Sequence, residues 1–377
     1  MKTPRIVASA CAGVLFGAGV VQAEPMFLSR QYNRCTTCHY SATGGGLLTP
    51  YGQSLSRQEL STTGRSSDTG KPATGSRGEE SFLFGALPDT GPLQLGIDVR
   101  PSHLHTDVAG FTANRDFFMT GDVLAAWRAH GWTVYGEFGR EPRSSGTKYD
   151  SYEHWVGYES EHGLGFRIGR ILPAYGVQFA DHTDYTRGPL RLDVYDQLYA
   201  IELSKTGEHD LLQLTVGPGR ADSIIKDDGL RAFTASARYQ HDLSSRSALV
   251  VSGIYRAKST LDPETGGGGL AFGIAPSSHL SIWSEADVQF RQGTAGAPSY
   301  VLLNETSLEI VRGLWLKVSP QLRTDFGNTS GGSWRLMGEV DFFPRTHWQL
   351  AVSYYRDEVR TSGIVAKTFL AQLHLYL

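Results

Sequence analysis

A chain of 377 residues is long enough for one large β domain or two ordinary ones, and 35 Lys and Arg against 38 Asp and Glu leave a net charge of -3. That balance excludes the basic surface of a nucleic-acid binder and implies no polyanion partner. With 44 Gly, 17 Tyr, 17 Phe, 7 Trp and 40% hydrophobic residues, yet a mean hydropathy of -0.25, the composition suits a barrel wall whose strands show one face to lipid and the other to water.

Residues 1–23 read as a secretory signal. Lys2 and Arg5 form its positive end, Ile6 to Val20 its apolar stretch, and Val21-Gln22-Ala23 a small-residue cleavage site. The apolar run, about 15 residues, falls short of the roughly 20 that span a bilayer. Cys11 has too few apolar residues before it to be a lipidation site, and it is discarded with the signal. Cys35 and Cys38 are then the cysteines of the mature chain, so no disulfide framework holds the fold.

Residues 24–60 are dominated by Cys35-Thr36-Thr37-Cys38-His39. C-x-x-C-H is the spacing at which two thiols add to the vinyl groups of one haem and the adjacent imidazole becomes the proximal iron ligand. A structural disulfide and a zinc site are the alternatives. Zinc is disfavoured because no second Cys or His cluster lies nearby, and a redox dithiol because the surroundings lack a βαβ pattern. The expectation is one covalent haem c, bound at Cys35 and Cys38 with His39 on the metal. About 37 residues are too few to bury a core unaided, so the haem is expected to be part of it, wrapped by Phe27, Tyr32, Tyr40, Leu47 and Leu48. The sixth iron ligand would come from Met26, the segment's one Met, or from a barrel histidine: His130, His162, His209, His241, His279, His347 or His374.

Residues 61–90 form a linker. Its first part, Ser61 to Glu80, is dominated by Gly, Ser and Thr and spans roughly 25 Å as a flexible tether. That reach lets the haem segment sit inside a pore, cap its mouth or dock on a neighbour.

From residue 91 to 377 the pattern is period-two alternation. In Leu280 to Arg291 the positions Leu280, Ile282, Ala286, Val288 and Phe290 alternate with Ser281, Glu285, Asp287, Gln289 and Arg291, and Leu314 to Asp325 repeats the rule. About sixteen strands follow, starting near residues 93, 117, 132, 151, 164, 194, 211, 231, 247, 270, 280, 300, 314, 333, 348 and 366. Connections are tight at His130-Gly131, His162-Gly163, Gly207 to His209, Pro276 to His279, Gly313 and Arg345 to His347. They are long at Asp107 to Arg115, Tyr175 to Leu192, Gly219 to Gly229, Ser259 to Gly267 and Gln292 to Ser299. Short turns on one rim and long loops on the other mark an all-β transmembrane barrel of antiparallel strands in an outer membrane, with both termini on the short-turn, periplasmic side. A soluble sandwich shares the alternation but not this rhythm.

The alternation places charges of both signs in the lumen. Glu285, Asp287, Glu305 and Glu309, on adjacent strands, are the best candidates for oxygen ligands to a metal, against the general habit of barrels to have polar interiors. The longest loop, Tyr175 to Leu192, holds Asp181, His182, Asp184 and Tyr185, which suit either a hard metal or a constriction folded into the pore. No nucleophile elbow, P-loop, dinucleotide fingerprint or HExxH occurs, and redox is the one chemistry with a motif.

Pro25-x-Phe27, Arg30-Gln31, the C-x-x-C-H and Leu48-Thr49-Pro50-Tyr51-Gly52, followed by a sixteen-strand barrel, resemble the fused monohaem cytochrome-porins of the bacterial outer membrane. The match covers about thirty residues, and the Gly44 to Gly46 insert, the short chain and the long tether depart from the family. The resemblance implies an electron-transfer protein of the outer membrane, oxidising extracellular ferrous iron or a mineral. It would pass electrons to periplasmic c-type cytochromes or other carriers, with the haem segment on the periplasmic side or in the lumen. Two other readings stand beside it: a diffusion porin with a haem-bearing plug, and the barrel scaffold of a multi-protein porin-cytochrome conduit.

Overall fold

The computed structural model describes residues 25–63, 91–141, 148–188, 190, 192, 196–220, 233–258, 263–293 and 296–377. The signal peptide expected over 1–23 and most of the linker expected over 61–90 lie outside the described residues. After the linker come β1 (Leu93–Val108), β2 (Phe111–Ala129), β3 (Trp132–Glu141), β4 (Lys148–Asp150), β5 (His154–Glu159) and β6 (Leu164–Ile171). Then follow β7 (Leu198–Thr206), β8 (Asp210–Arg220), β9 (Thr234–Ser244), β10 (Ser247–Arg256), β11 (Thr265–Ser277) and β12 (Leu280–Arg291). The chain ends with β13 (Ser299–Val311), β14 (Leu314–Asp325), β15 (Asn328–Arg345), β16 (Trp348–Val359) and β17 (Val365–Tyr376).

Every neighbouring pair is antiparallel, and β17 returns to β1, Asp98 facing Tyr376, so the sheet closes on itself without an edge. β4 and β5 both pair with β3 and together make one wall position, which gives a closed barrel of sixteen strands. Each expected strand is present, most within four residues of its expected start.

One expected long loop is a tight turn. Asp107 to Arg115 continues both strands as a ribbon, closed at Ala109-Gly110 with φ of 51° and 90°. Thr112, Asn114, Arg115 and Asp116 there are polar and exposed, and with Phe111 the one large aromatic among them the stretch has few of the apolar residues that mark a lipid-facing strand. The paired backbone needs no lipid contact to persist as a hairpin. Opposite it, His130-Gly131 turns with φ of 51° and 81°, the geometry of a two-residue hairpin, as expected of the short-turn rim.

The two faces of the wall are inverted relative to a soluble protein. Val123, Phe138, Ile168, Leu203, Val216, Leu270, Leu302 and Val352 are exposed on the outside, while Glu202, Gln213, Glu285, Asp287, Lys317 and Asp341 are buried within. Such a surface is stable in hydrocarbon and not in water. Aromatic clusters lie toward its edges: Trp132 sits 5.2 Å from Tyr158 and 5.9 Å from Phe166 at the short-turn rim, and Phe138 stacks on Tyr149 at 6.2 Å toward the other.

The alternation is broken on the inside. Trp283, Leu303 and Trp315 occupy inward positions and are nearly fully buried. Part of what covers them comes from outside the wall. Trp283 and Leu303 form one apolar cluster with Leu28 of the N-terminal segment and Phe179 of the loop after β6, and Trp315 another with Met26, Leu60 and Phe343. The N-terminal segment therefore lies in the lumen as a plug and meets the inward-folded loop there.

Candidate functional site

The plug is built of single turns. A 3-10 turn over Pro25–Arg30 precedes a second over Cys35–Thr37, and α1 (Pro50–Leu55) continues as wider turns through Leu60. Thr49 caps α1, its Oγ1 accepting from the Gly52 amide at 3.1 Å, with Pro50 at the first helical position. The Thr49 amide and hydroxyl also donate to the Cys38 carbonyl, at 2.8 and 3.3 Å, so one residue starts the helix and holds the cysteine turn.

In that turn the amides of Cys38 and His39 both donate to the Cys35 carbonyl, at 3.1 and 2.9 Å. Cys35 opens this turn and Cys38 closes it, and His39 follows directly, bridged to Leu48, so two thiols and an imidazole are gathered within one turn of chain. The three glycines that looked like an insert orient the imidazole. Gly44, Gly45 and Gly46 have φ of 81°, 74° and 59°, open to glycine and strained for other residues. They fold the chain back so that the Gly45 carbonyl lies 2.9 Å from His39 Nδ1. With Nδ1 as donor, Nε2 carries the lone pair, the arrangement of most metal-bound histidines.

The electrostatics agree with that state. Burial lowers His39 to about 4, opposed by the Gly45 carbonyl, so the imidazole is neutral at pH 7, the form that can ligate a metal. Burial lifts Cys38 to about 12, helped by Cys35; it lifts Cys35 as well, partly offset by Arg238 and Arg187. Both cysteines are free, and as thiols rather than thiolates they are poor partners for disulfide exchange. Among the described residues no three His, Cys, Asp or Glu side chains gather to hold a metal ion, so a zinc site has no ligand set. The donor set fits a c-type haem: two thiols and one oriented imidazole within five residues, none of them fully buried.

Gly52 sets how closely α1 approaches this turn, since a Cβ on it would lie 2.3 Å from the Cys38 carbonyl oxygen. Gly52→Ala is expected to push α1 off the cysteine turn at a cost of about 1–3 kcal/mol. Limited proteolysis reads this as faster cleavage within residues 25–62 of a still heat-modifiable barrel; equal protection in the variant and the parent would sink it.

Contacts around the whole wall fix the plug. Arg34 donates to the Gly207 carbonyl at 2.8 Å and to Asp242 at 3.0 Å; Ser41 donates to Glu153 at 3.0 Å; Ser56 and Tyr376 share a hydrogen bond at 2.8 Å. Arg312 donates to the Ser61 carbonyl at 2.8 Å, the Thr62 amide to that of Phe343 at 3.0 Å, and Arg30 pairs with Glu309. Gly207 and Arg312 lie at short turns, so the plug sits at the short-turn end.

Two expectations about side chains need correction, and one choice between alternatives is decided. Phe27, Tyr40 and Leu47 were expected to wrap a porphyrin, but they face the wall, Tyr40 and Leu47 packing on Leu124, Ala126 and Tyr135 and Phe27 on the Trp315 cluster. The lumen provides the apolar surface that so short a segment lacks. Glu285 and Asp287 do not form a metal site. They hold the loop after β6, Glu285 accepting from the Val177 amide at 3.1 Å and Asp287 from the Tyr175 hydroxyl at 2.9 Å. The loop residues Asp184 and Tyr185 likewise engage Gln321, and the Tyr185 hydroxyl donates to Asp357 at 2.9 Å, so this loop is a constriction. Wall side chains satisfy backbone groups that would otherwise be buried unpaired.

Of the candidates for a sixth ligand, Met26 is fully buried in the Trp315 cluster. His130, His162, His209, His241 and His279 are exposed or half-exposed at the rim, and His279 is bonded to Glu309 at 2.9 Å. His347 and His374 are buried; His374 Nδ1 lies 2.8 Å from Gln349 Oε1 and its Nε2 3.3 Å from Asp98.

No family model and no curated protein sequence matches this chain. Solved structures do resemble it. OprB of Pseudomonas putida superposes with a TM-score of 0.61 at 6% identity, over 76% of this chain and 94% of that one. The anion-selective porin from Comamonas acidovorans gives 0.57 at 11%, over 76% and 99%, and OmpT of Vibrio cholerae, an outer membrane protein, 0.56 at 8%, over 77% and 99%. At such identities the likeness is one of architecture, and with the closed wall and apolar exterior it gives this chain the fold of the outer-membrane porins.

Proposed function

We propose that this chain is an electron-transfer protein of the bacterial outer membrane, a porin-type barrel whose plug carries one covalent haem c at Cys35 and Cys38, with His39 as proximal ligand. The observation that carries the reading is the turn itself: two thiols and an imidazole within five residues, the turn closed on the Cys35 carbonyl and the imidazole oriented by the Gly45 carbonyl. A haem c bound there supplies a one-electron redox centre. The chain's own part is to hold that turn inside the lumen, with Thr49 and Gly52 against Cys38 and Arg34 against Asp242. The short-turn rim, where the plug sits, is the periplasmic rim in this reading, so the partners on that side are periplasmic c-type cytochromes or other carriers. The resemblance to cytochrome-porins suggests extracellular ferrous iron or a mineral as the electron source.

The anion-selective porin among the similar folds favours a second reading, a diffusion porin with a haem-bearing plug. The plug contacts on all sides of the wall, and the meeting of Leu28 with Phe179, speak against free solute flow. Sealed liposomes containing this chain alone decide. Ferrous iron added outside is expected to reduce an enclosed acceptor, without swelling in small sugars. Swelling without reduction establishes the porin reading instead, and reduction that needs an added multihaem cytochrome establishes a scaffold for a larger conduit.

A further inference from the structure

The inner face of β9 carries a cation beside the strand positions that hold the approach to Cys35. The two residues before Cys35 are stitched to this strand: Gln240 Nε2 donates to the Asn33 carbonyl at 2.9 Å, and Arg34 Nη2 to Asp242 Oδ2 at 3.0 Å. Arg238 stands next along the same face, since alternate residues of a strand point the same way. Its guanidinium donates to Gln240 Oε1 at 2.8 Å, to Gln213 Oε1 at 3.2 Å and to the Gly176 carbonyl of the constriction loop at 2.8 Å. All three acceptors are uncharged.

The carboxylates in its field are Glu285, Glu202 and Asp242. Glu202 accepts two hydrogen bonds from Arg167, at 2.9 and 3.0 Å, and Asp242 pairs with Arg34, so Glu285, which accepts from the Val177 amide, is the carboxylate that faces both Arg238 and Arg187. A second guanidinium arrives from the loop. Arg187, 2% exposed, donates to the Gln178 side chain and the Phe179 carbonyl. Burial raises the Cys35 thiol, and Arg238 from the wall and Arg187 from the loop oppose that rise.

We propose that Arg238, supported by Arg187, sets a high reduction potential for a haem joined at Cys35, an inference that rests on the haem reading above. Reduction adds one electron to a ferric centre and lowers its charge by one. A fixed cation near it favours the reduced form, the more so the less water screens the two. The structural alternative is that Arg238 merely braces the loop through Gly176. A brace acts through hydrogen bonds, and a potential-setting residue acts through charge.

The test is a spectroelectrochemical titration of the full detergent-solubilised chain, with Arg238→Gln, Arg238→Lys and Arg187→Gln. Arg238→Gln is expected to lower the midpoint potential by about 59 mV, a tenfold change in the ratio of reduced to oxidised protein for a one-electron couple. Arg238→Lys should keep most of the parent potential, and Arg187→Gln should fall in the same direction as Arg238→Gln. The reduced absorption bands should stay in place throughout. An unmoved potential in both glutamine variants overturns the proposal, as does an equal fall in Arg238→Gln and Arg238→Lys. Should Arg238→Gln not fold, Arg187→Gln decides alone, its fall supporting the proposal and an unmoved potential overturning it. Absence of haem c from the unaltered chain overturns the haem reading and this inference with it, whereas haem present at an unmoved potential removes this inference alone.

Discussion

A Cys35→Ser, Cys38→Ser chain is expected to lose all covalently attached haem while still inserting as a heat-modifiable barrel. Cys35 and Cys38 are the cysteines of the expected mature chain, so no other thiol can make a thioether. His39 would then hold a haem by one coordinate bond, which denaturing detergent and acidified solvent break. The fold should be indifferent to the change because the apolar clusters that seat the plug use Met26, Leu28, Tyr40, Leu47 and Leu60, and neither cysteine. Haem staining after denaturing electrophoresis reads the result. Full staining in the double variant would remove the covalent assignment, and a barrel lost together with the haem would show that the cofactor holds the fold.

The wall was legible because lipid on one side and a polar lumen on the other impose a period of two on every strand. The rhythm of turns gave the short-turn rim for the same reason, since His130-Gly131 needs φ values that few residue pairs tolerate. Asp107 to Arg115 differs from the expected loop because its mostly polar residues are strand-paired, and a ribbon beyond the lipid needs no apolar face to stay paired.

The plug's place in the lumen had a signal that went unread. Trp283 and Trp315 sit in the polar half of the alternation, at inward positions flanked by Ser281 and Glu285 and by Lys317. A large indole facing a water-filled pore is unfavourable, so each one marks a position where something apolar covers the wall. The ring set of the site was misassigned for the opposite reason. Phe27, Tyr40 and Leu47 are ordinary apolar residues of a segment with no core of its own, and the sequence does not say which apolar surface they meet. That Gly44 to Gly46 orient His39 is a matter of three positive φ values and one carbonyl contact, invisible in residue types alone.

Deleting residues 25–62 is expected to open the barrel. The intact chain should conduct small ions poorly in planar bilayers, since the plug bonds to the wall at Gly207, Glu153, Tyr376, Phe343 and Ser61's partner Arg312, and Leu28 meets the constriction loop at Phe179. Without the plug, single-channel conductance should rise roughly tenfold or more, because a sixteen-strand barrel leaves an aqueous channel once its interior is cleared. The constriction loop should remain, held by Glu285, Asp287, Gln321 and Asp357 rather than by the plug, so the open pore should stay narrower than the wall alone would allow. Removing the plug bares Trp283, Leu303 and Trp315 to water, and at about 25 cal/mol per Å² of apolar surface this costs stability. The closed ladder from β17 to β1 still leaves no edge strand to fray, so the barrel should survive as a heat-modifiable species. Equal conductance in the intact and deleted chains would show that the plug does not obstruct the lumen, and would return the protein to the diffusion-porin reading.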